Sequence, residues 1–395
     1  MTRLTLVRSF VLLGALVAFG GAWAEDDKSK IDLYGFVMLD MGFDFNQNDP
    51  LWFDVMRPTK LPAFDQEFGE DGRFYSGVRQ SRLGVKSWIP TKNGEIYTIF
   101  EFELFGVGVD AGQTTFRLRH AYGQWQGWGA GQTWSPFMDI DVFPNSIEYW
   151  GPNGMVFFRN VQIRYMPMEG DHEVVVALER PGASGDSGVA FDVIAGQAIQ
   201  GRFPAPDLSG HYRWNQNWGH IQASAMVRYI AWDDTVAGGP DLSGNDIGWG
   251  LHASMNYKIN KDTLRSSVVF GEGIQNYMND APADIGATGD PLAPEGEALG
   301  LIGLVAFYDR TWNDRMTSSF GYSLLRIDNS DLQSPAAFKT GQYALANIMF
   351  YPVNNLMFGP ELQWGQRKNN SDGWSVNDFR VQFSVKYNFG KSWGG

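Results

Sequence analysis

Several stretches of the 395-residue chain carry residue types that could do chemistry. Gly185-Asp186-Ser187-Gly188 has the form of a serine-nucleophile loop. Such a serine needs a base within hydrogen-bond reach. None of the five histidines, His120, His172, His211, His220 and His252, stands in a recognisable triad context. Nor do they show the HExxH or any other metal spacing. Gly390-Lys391-Ser392 lacks the glycine that a phosphate loop carries five residues earlier. The oxygen-rich stretches 241–246 and 369–372 read as turn chemistry rather than calcium loops. With no cysteine, thiol catalysis, disulfide scaffolds and cysteine-ligated zinc are excluded. The sequence therefore reads as no enzyme, with no cofactor and no metal.

What remains is a set of basic residues with even spacing. Arg82 and Lys86 are four apart, Arg117 and Arg119 two apart, and Arg380 and Lys386 six apart. On an extended strand, even spacing places side chains on one face. Together with Arg164 they are the expected solute-binding residues. A guanidinium offers two parallel donors to a carboxylate or phosphate. Glu101 and Glu103 lie between the first two pairs and could simply neutralise them across the strands. The segment 135–158 carries Asp139, Asp141 and Glu148, and is expected to oppose the basic wall across a constriction.

Strands must position these residues, and the sequence alternates accordingly. Phe379, Val381, Phe383, Val385, Tyr387 and Phe389 share one parity; Arg380, Gln382, Ser384, Lys386 and Asn388 share the other. About sixteen such segments fit between 31 and 389, joined alternately by short turns and longer loops rich in Gly, Pro, Asp and Asn. That rhythm predicts an all-β, antiparallel, up-and-down transmembrane barrel with one short-turn rim and one long-loop rim.

Charge parity decides which face meets lipid. Asp40, Arg82, Lys86, Glu101, Glu103, Arg117, Arg119, Arg164, Arg228, Glu361, Arg380 and Lys386 lie well inside the expected strands, and all fall on the polar parity. His120 is the one ionisable exception. A charge facing hydrocarbon costs about 2–4 kcal/mol at the midplane, enough to enforce such a rule. Sixteen strands enclose a wet bore rather than an apolar core. Eight of those twelve residues are basic, although the whole chain has a formal net charge of −13. The wall is thus expected to be positive and the loops acidic. That distribution gives no reason to expect nucleic acid as a partner. Trp88, Trp125, Trp128, Trp214, Trp312 and Tyr351 near strand ends are expected to form interfacial girdles.

The N-terminus has its own signature. Arg3 and Arg8, the apolar run from Phe10 to Phe19, and Ala22-Trp23-Ala24 predict a signal peptide over 1–24. A short segment, 25–30, should precede the barrel, and a short tail, 390–395, should follow it.

The chain resembles the DcaP-like family of trimeric outer-membrane porins. The residues that carry the likeness include Asp32-Leu33-Tyr34-Gly35-Phe36, Arg79-Gln80-Ser81-Arg82-Leu83-Gly84 and Phe116-Arg117-Leu118-Arg119-His120-Ala121-Tyr122. The run from Gly131 to Asp139, with Gly151-Pro152-Asn153-Gly154 and Gln162-Ile163-Arg164-Tyr165, is the most specific part. The resemblance implies a homotrimer in the outer membrane of a Gram-negative bacterium, surrounded by lipid and lipopolysaccharide. It implies passive passage of small anionic solutes, dicarboxylates among them. It also implies a third loop folded into the lumen and solute contacts at Arg82, Arg117, Arg119 and Arg164. A porin for sugars or phosphate-type solutes is the alternative reading.

Overall fold

The computed structural model describes residues 29–236 and 241–394. The expected signal peptide and most of the 25–30 segment lie outside the described residues.

Sixteen antiparallel strands form a closed barrel. β1 is Lys30–Asp44. β2 runs in two pieces, Arg73–Gly77 and Arg82–Thr91. β3 to β7 are Gly94–Phe105, Thr114–Trp125, Trp128–Trp134, Arg159–Met168 and His172–Glu179. β8 to β12 are Asp207–Gln216, Gly219–Asp233, Gly244–Ile259, Asp262–Glu272 and Gly300–Asn313. β13 is Met316–Asp328. β14 runs in two pieces, Phe338–Asn347 and Met349–Val353. β15 is Leu356–Asn369 and β16 is Ser375–Gly394. Each strand pairs with the next, and β16 pairs with β1 from Asp44↔Arg380 to Lys30↔Gly394. The tail expected at 390–395 is therefore strand as far as Gly394, because β1 begins at Lys30 and offers backbone partners to its end.

At one rim the turns span two or three residues. The turn between β4 and β5, Gln126-Gly127, has positive φ at both positions (48° and 75°), the geometry that matches the twist of a two-residue hairpin. The opposite rim carries the long connections. One of them, 180–206, holds the short helix Phe191–Gln197 and contributes Gly185–Asp186 to a small sheet with Ile285–Asp290 and Ala293–Ala298.

Side-chain burial alternates along the strands. Val227, Leu251, Ile302, Leu304, Leu362 and Phe383 are exposed on the outside. Their neighbours Gln222, Ser254, Ser323 and Gln382 are buried inside. Trp125, Trp128, Trp214 and Trp312 face outward near the short-turn rim, as girdle residues do. Trp88 and Tyr351 instead share the inward parity. Trp88 lies against Tyr97 at 5.5 Å between ring centroids, and Tyr351 packs with the buried Met38, Met349 and Met357.

His120, the parity exception, has a local cause. Glu101 pairs with His120 but Phe102 pairs with Leu118, so Arg119 is the extra residue of a β-bulge. The bulge turns Arg119 and His120 inward together. His120 Nδ1 lies 3.0 Å from Thr133 Oγ1.

Candidate functional site

The segment 135–158 leaves the rim after β5 and folds across the bore. Its contacts run around the wall. Ser135 Oγ donates to Glu179 on β7 at 2.7 Å. Asp139 accepts from Arg213 on β8 (2.6 Å), His220 on β9 (2.7 Å) and Ser254 on β10 (2.6 Å). Asn145 donates to Thr317 on β13 at 2.9 Å. The amides of Ile147 and Glu148 both donate to Glu361 on β15 at 3.1 Å. Tyr149 reaches Glu103 on β3.

On one side this segment closes an apolar core inside the barrel. Phe137, Met138, Val142, Met155 and Val156 pack against Val269, Leu301, Phe307, Leu325 and Tyr343 of the wall. The core fills the bore on the β9–β14 side and leaves room on the β1–β6 and β16 side.

Three cavities are linked by shared lining residues, the middle one on that open side and the last beneath the core against β11–β13. The outermost, about 240 Å³, is lined by Arg57, Arg117, Tyr149 and Phe157 with Asn276 and Asn279. The middle one, about 340 Å³, shares Tyr149 and Phe157 and adds Arg82, Arg119, Lys386 and Gln80. The innermost, about 320 Å³, shares Phe143 with the middle cavity and meets Arg265, Asp309 and Arg310 beside the short turns. Together they trace a route from the loop rim to the turn rim.

The middle cavity is the most highly charged part of that route. Arg119 donates to Glu101 at 2.6 Å and to Glu103 at 2.7 Å. Arg82 lies 3.1 Å from Glu103 and 3.7 Å from Glu101. Arg117 lies 3.8 Å from Glu103 and donates to Tyr149 Oη at 3.0 Å. Three guanidiniums thus share two carboxylates, so the cluster keeps a positive surplus. Lys386 has no ion pair among the described residues; its ammonium sits 4.1 Å from the Phe36 ring centroid.

The remaining expected residues scatter. Arg164 donates to Tyr122 Oη at 3.0 Å, nearer the turn rim. Lys86 lies 5.0 Å from the Tyr34 ring centroid, also below the constriction. Arg380 is only 1% exposed and has no face toward the passage. It is locked to Asp44 and donates to the Phe53 carbonyl at 3.0 Å, so it holds the 45–72 connection rather than meeting a solute.

Asp139 and Asp141 do not oppose the basic wall as expected. Asp139 and Asp141 both pair with Arg213 on the far side, at 2.6 and 2.7 Å. Burial alone would raise the Asp139 carboxyl, but the His220 hydrogen bond and the Arg213 charge hold it well below the carboxylate range. Glu148 does line the middle cavity, yet burial pushes its carboxyl up to about 8. Its oxygens accept from the amides of Met56 and Gly151. Of the three acids of this segment, only Glu148 lines the cavity that Arg82, Arg119 and Lys386 share.

Arg213 and Arg159 were not singled out by sequence. Arg213 sits near the end of its strand, where parity is hard to read. Its inward alternation with His211 was the available signal. Arg159 opens β6 and lies 4.7 Å from the Trp134 ring centroid.

Comparison with known proteins agrees with this geometry. The family model for the DcaP outer membrane protein matches residues 22–389. No curated protein matches the chain in sequence. The crystal structure of the outer membrane channel DcaP of Acinetobacter baumannii is similar over 91% of this chain and 97% of that one, at 20% identity and a TM-score of 0.77. An anion-selective porin from Comamonas acidovorans is similar over 91% of this chain and 100% of that one, at 11% identity and a TM-score of 0.58. A trimer form of OmpT from Vibrio cholerae is similar over 92% and 100%, at 12% identity and a TM-score of 0.54. At these identities the likeness is one of fold.

Proposed function

The chain belongs to the DcaP outer membrane protein family, and we propose that it is a passive channel for small anionic solutes, dicarboxylates among them. The observation that carries this reading is the middle cavity, where Arg82, Arg119 and Lys386 converge against a single loop carboxyl, Glu148. Solute enters among the loops, passes Arg117, meets the constriction and leaves by the turn rim past Arg265 and Arg310, with Lys86 and Arg164 on the wall at the same end. A low-dielectric wall focuses this positive field and raises the local anion concentration. Arg119 is anchored by two carboxylates and nearly fully buried, so it shapes the site. Lys386, which makes no ion pair among the described residues, and Arg82, paired to the same carboxylates but more exposed, would hold a carboxylate weakly enough to release it. No covalent chemistry is required.

The same reading includes export through a cleaved signal peptide over 1–24 and assembly as a homotrimer in the lipid and lipopolysaccharide of the outer membrane. The exposed Val109, Phe116 and Phe74 on the β1–β4 side give an apolar surface suited to a subunit contact.

The test is selectivity in a planar bilayer under a salt gradient. Wild type should prefer anions and be blocked by millimolar dicarboxylate. Arg82→Ala with Lys386→Ala should lose most of that preference with the barrel intact. A cation-preferring wild type, or a double variant with unchanged preference, refutes the assignment.

A further inference from the structure

The outer face of β13–β16 changes chemistry step by step toward the loop rim. Phe320 and Leu362 are apolar and exposed, as hydrocarbon contact requires. One step higher, Tyr322 and Trp364 share a row, through Tyr322↔Ala344 and Ala344↔Trp364. Higher still come three outward amides in line, Gln342, Gln366 and Asn377. Amides facing acyl chains would need partners, and this row supplies its own. Tyr322 Oη donates to Gln342 at 2.5 Å, Gln342 donates to Gln366, and Gln366 donates to Asn377 at 3.0 Å. On β14–β16 the row fits the edge of the hydrocarbon, while its β13 member, the outward Leu324, is still apolar.

Above it stand two exposed cations, Lys368 over Gln366, and Arg326 over Leu324 and beside the exposed Ile302. Arg326 pairs with Thr340, and Thr340 pairs with Lys368, so the cations flank one hydroxyl across two ladder spacings, about 10 Å. Neither makes an ion pair or a side-chain hydrogen bond among the described residues. Asp328, the next outward residue on β13, pairs with neither. Free cations at headgroup height, over a closed amide row and an aromatic row, match a phosphate standing above acyl chains. We propose that Arg326, Thr340 and Lys368 bind a phosphate of the lipopolysaccharide of the outer leaflet. This rests on the reading that the loop rim faces the cell exterior.

Native mass spectrometry of the full chain in detergent tests it, with bisphosphorylated and dephosphorylated lipid A as probes. Wild type should bind the phosphorylated form at least about tenfold more tightly, as charge-assisted hydrogen bonds to a phosphate would give. Arg326→Ala with Lys368→Ala should lose that preference, and Arg326→Lys should keep most of it. Equal binding of the two lipids by wild type overturns the proposal, as does an unchanged preference in the double alanine variant. A double variant that dissociates into monomers more readily, with its lipid preference intact, would make the face a subunit contact and also overturn it. Bilayer selectivity is read separately: its loss in wild type would strike the channel reading and leave this one standing.

Discussion

Arg119 and Glu103 meet at 2.7 Å on adjacent strands, and Arg119 is the extra residue of the bulge in β4. Without the bulge, His120 would take the outward parity among lipid-facing residues. With it, one guanidinium reaches both Glu101 and Glu103 and fixes them. The pairing satisfies most of the acid near the constriction and leaves Arg82 and Lys386 to face the passage.

Lys386 is then the most sensitive single residue for selectivity. Reversing its charge, Lys386→Glu, should change the energy of a passing ion by at least about 1 kcal/mol. The anion-to-cation permeability ratio should fall several-fold. Reversal potentials across a salt gradient measure this, and a ratio equal to wild type would remove Lys386 from the site.

Arg380 should behave in the opposite way. Arg380→Ala leaves Asp44 buried without its partner, and breaking such a pair costs about 3–5 kcal/mol. The folded barrel should unfold at lower denaturant or temperature, while the selectivity of surviving channels stays unchanged. A large selectivity change with normal stability would contradict the burial described.

Glu148 gives a pH dependence to the docked 135–158 segment. Burial raises its carboxyl from 4.5 to about 8. In the docked state it keeps its proton where a free carboxyl would lose it. Docking is therefore fully stabilised below about pH 4.5 and progressively weakened as pH rises toward about 8. Single-channel current should grow noisier across that window in wild type, and Glu148→Gln should flatten the response. Noise that rises toward acid pH would reverse the sign and refute the account.

Gly154 tests the seating of the same segment. A Cβ there would meet the Leu324 carbonyl at 2.1 Å and the Leu304 carbonyl at 2.8 Å, both backbone atoms that cannot swing aside. Gly154→Ala should push the segment off β12 and β13 at about 1–3 kcal/mol. Conductance should increase with the barrel still folded by gel mobility. An unchanged conductance would show that the contact does not set the bore.

Much of the fold was legible because one rule acts on every wall residue. Lipid outside and water inside force a period of two, and Phe379 to Phe389 obey it without a break. The basic set was legible for the same reason, since Arg82, Lys86, Arg117 and Arg119 must share the wet face. Arg380 obeys the same parity and yet has no access to solute. Parity tells which side of the wall a residue faces, and not whether a loop covers it.

The sequence by itself determined the barrel, its two rims and the inward placement of the charges, because these follow from local alternation against two solvents. Only the tertiary structure decided which charges stay free. That depends on where the 135–158 and 45–72 connections dock, and their contacts join residues up to hundreds of positions apart, as Ile147 and Glu361 do. Docking withdrew Asp139, Asp141 and Arg380 from the passage and left Arg82 and Lys386 in it, through burial and pairing that no short-range pattern encodes.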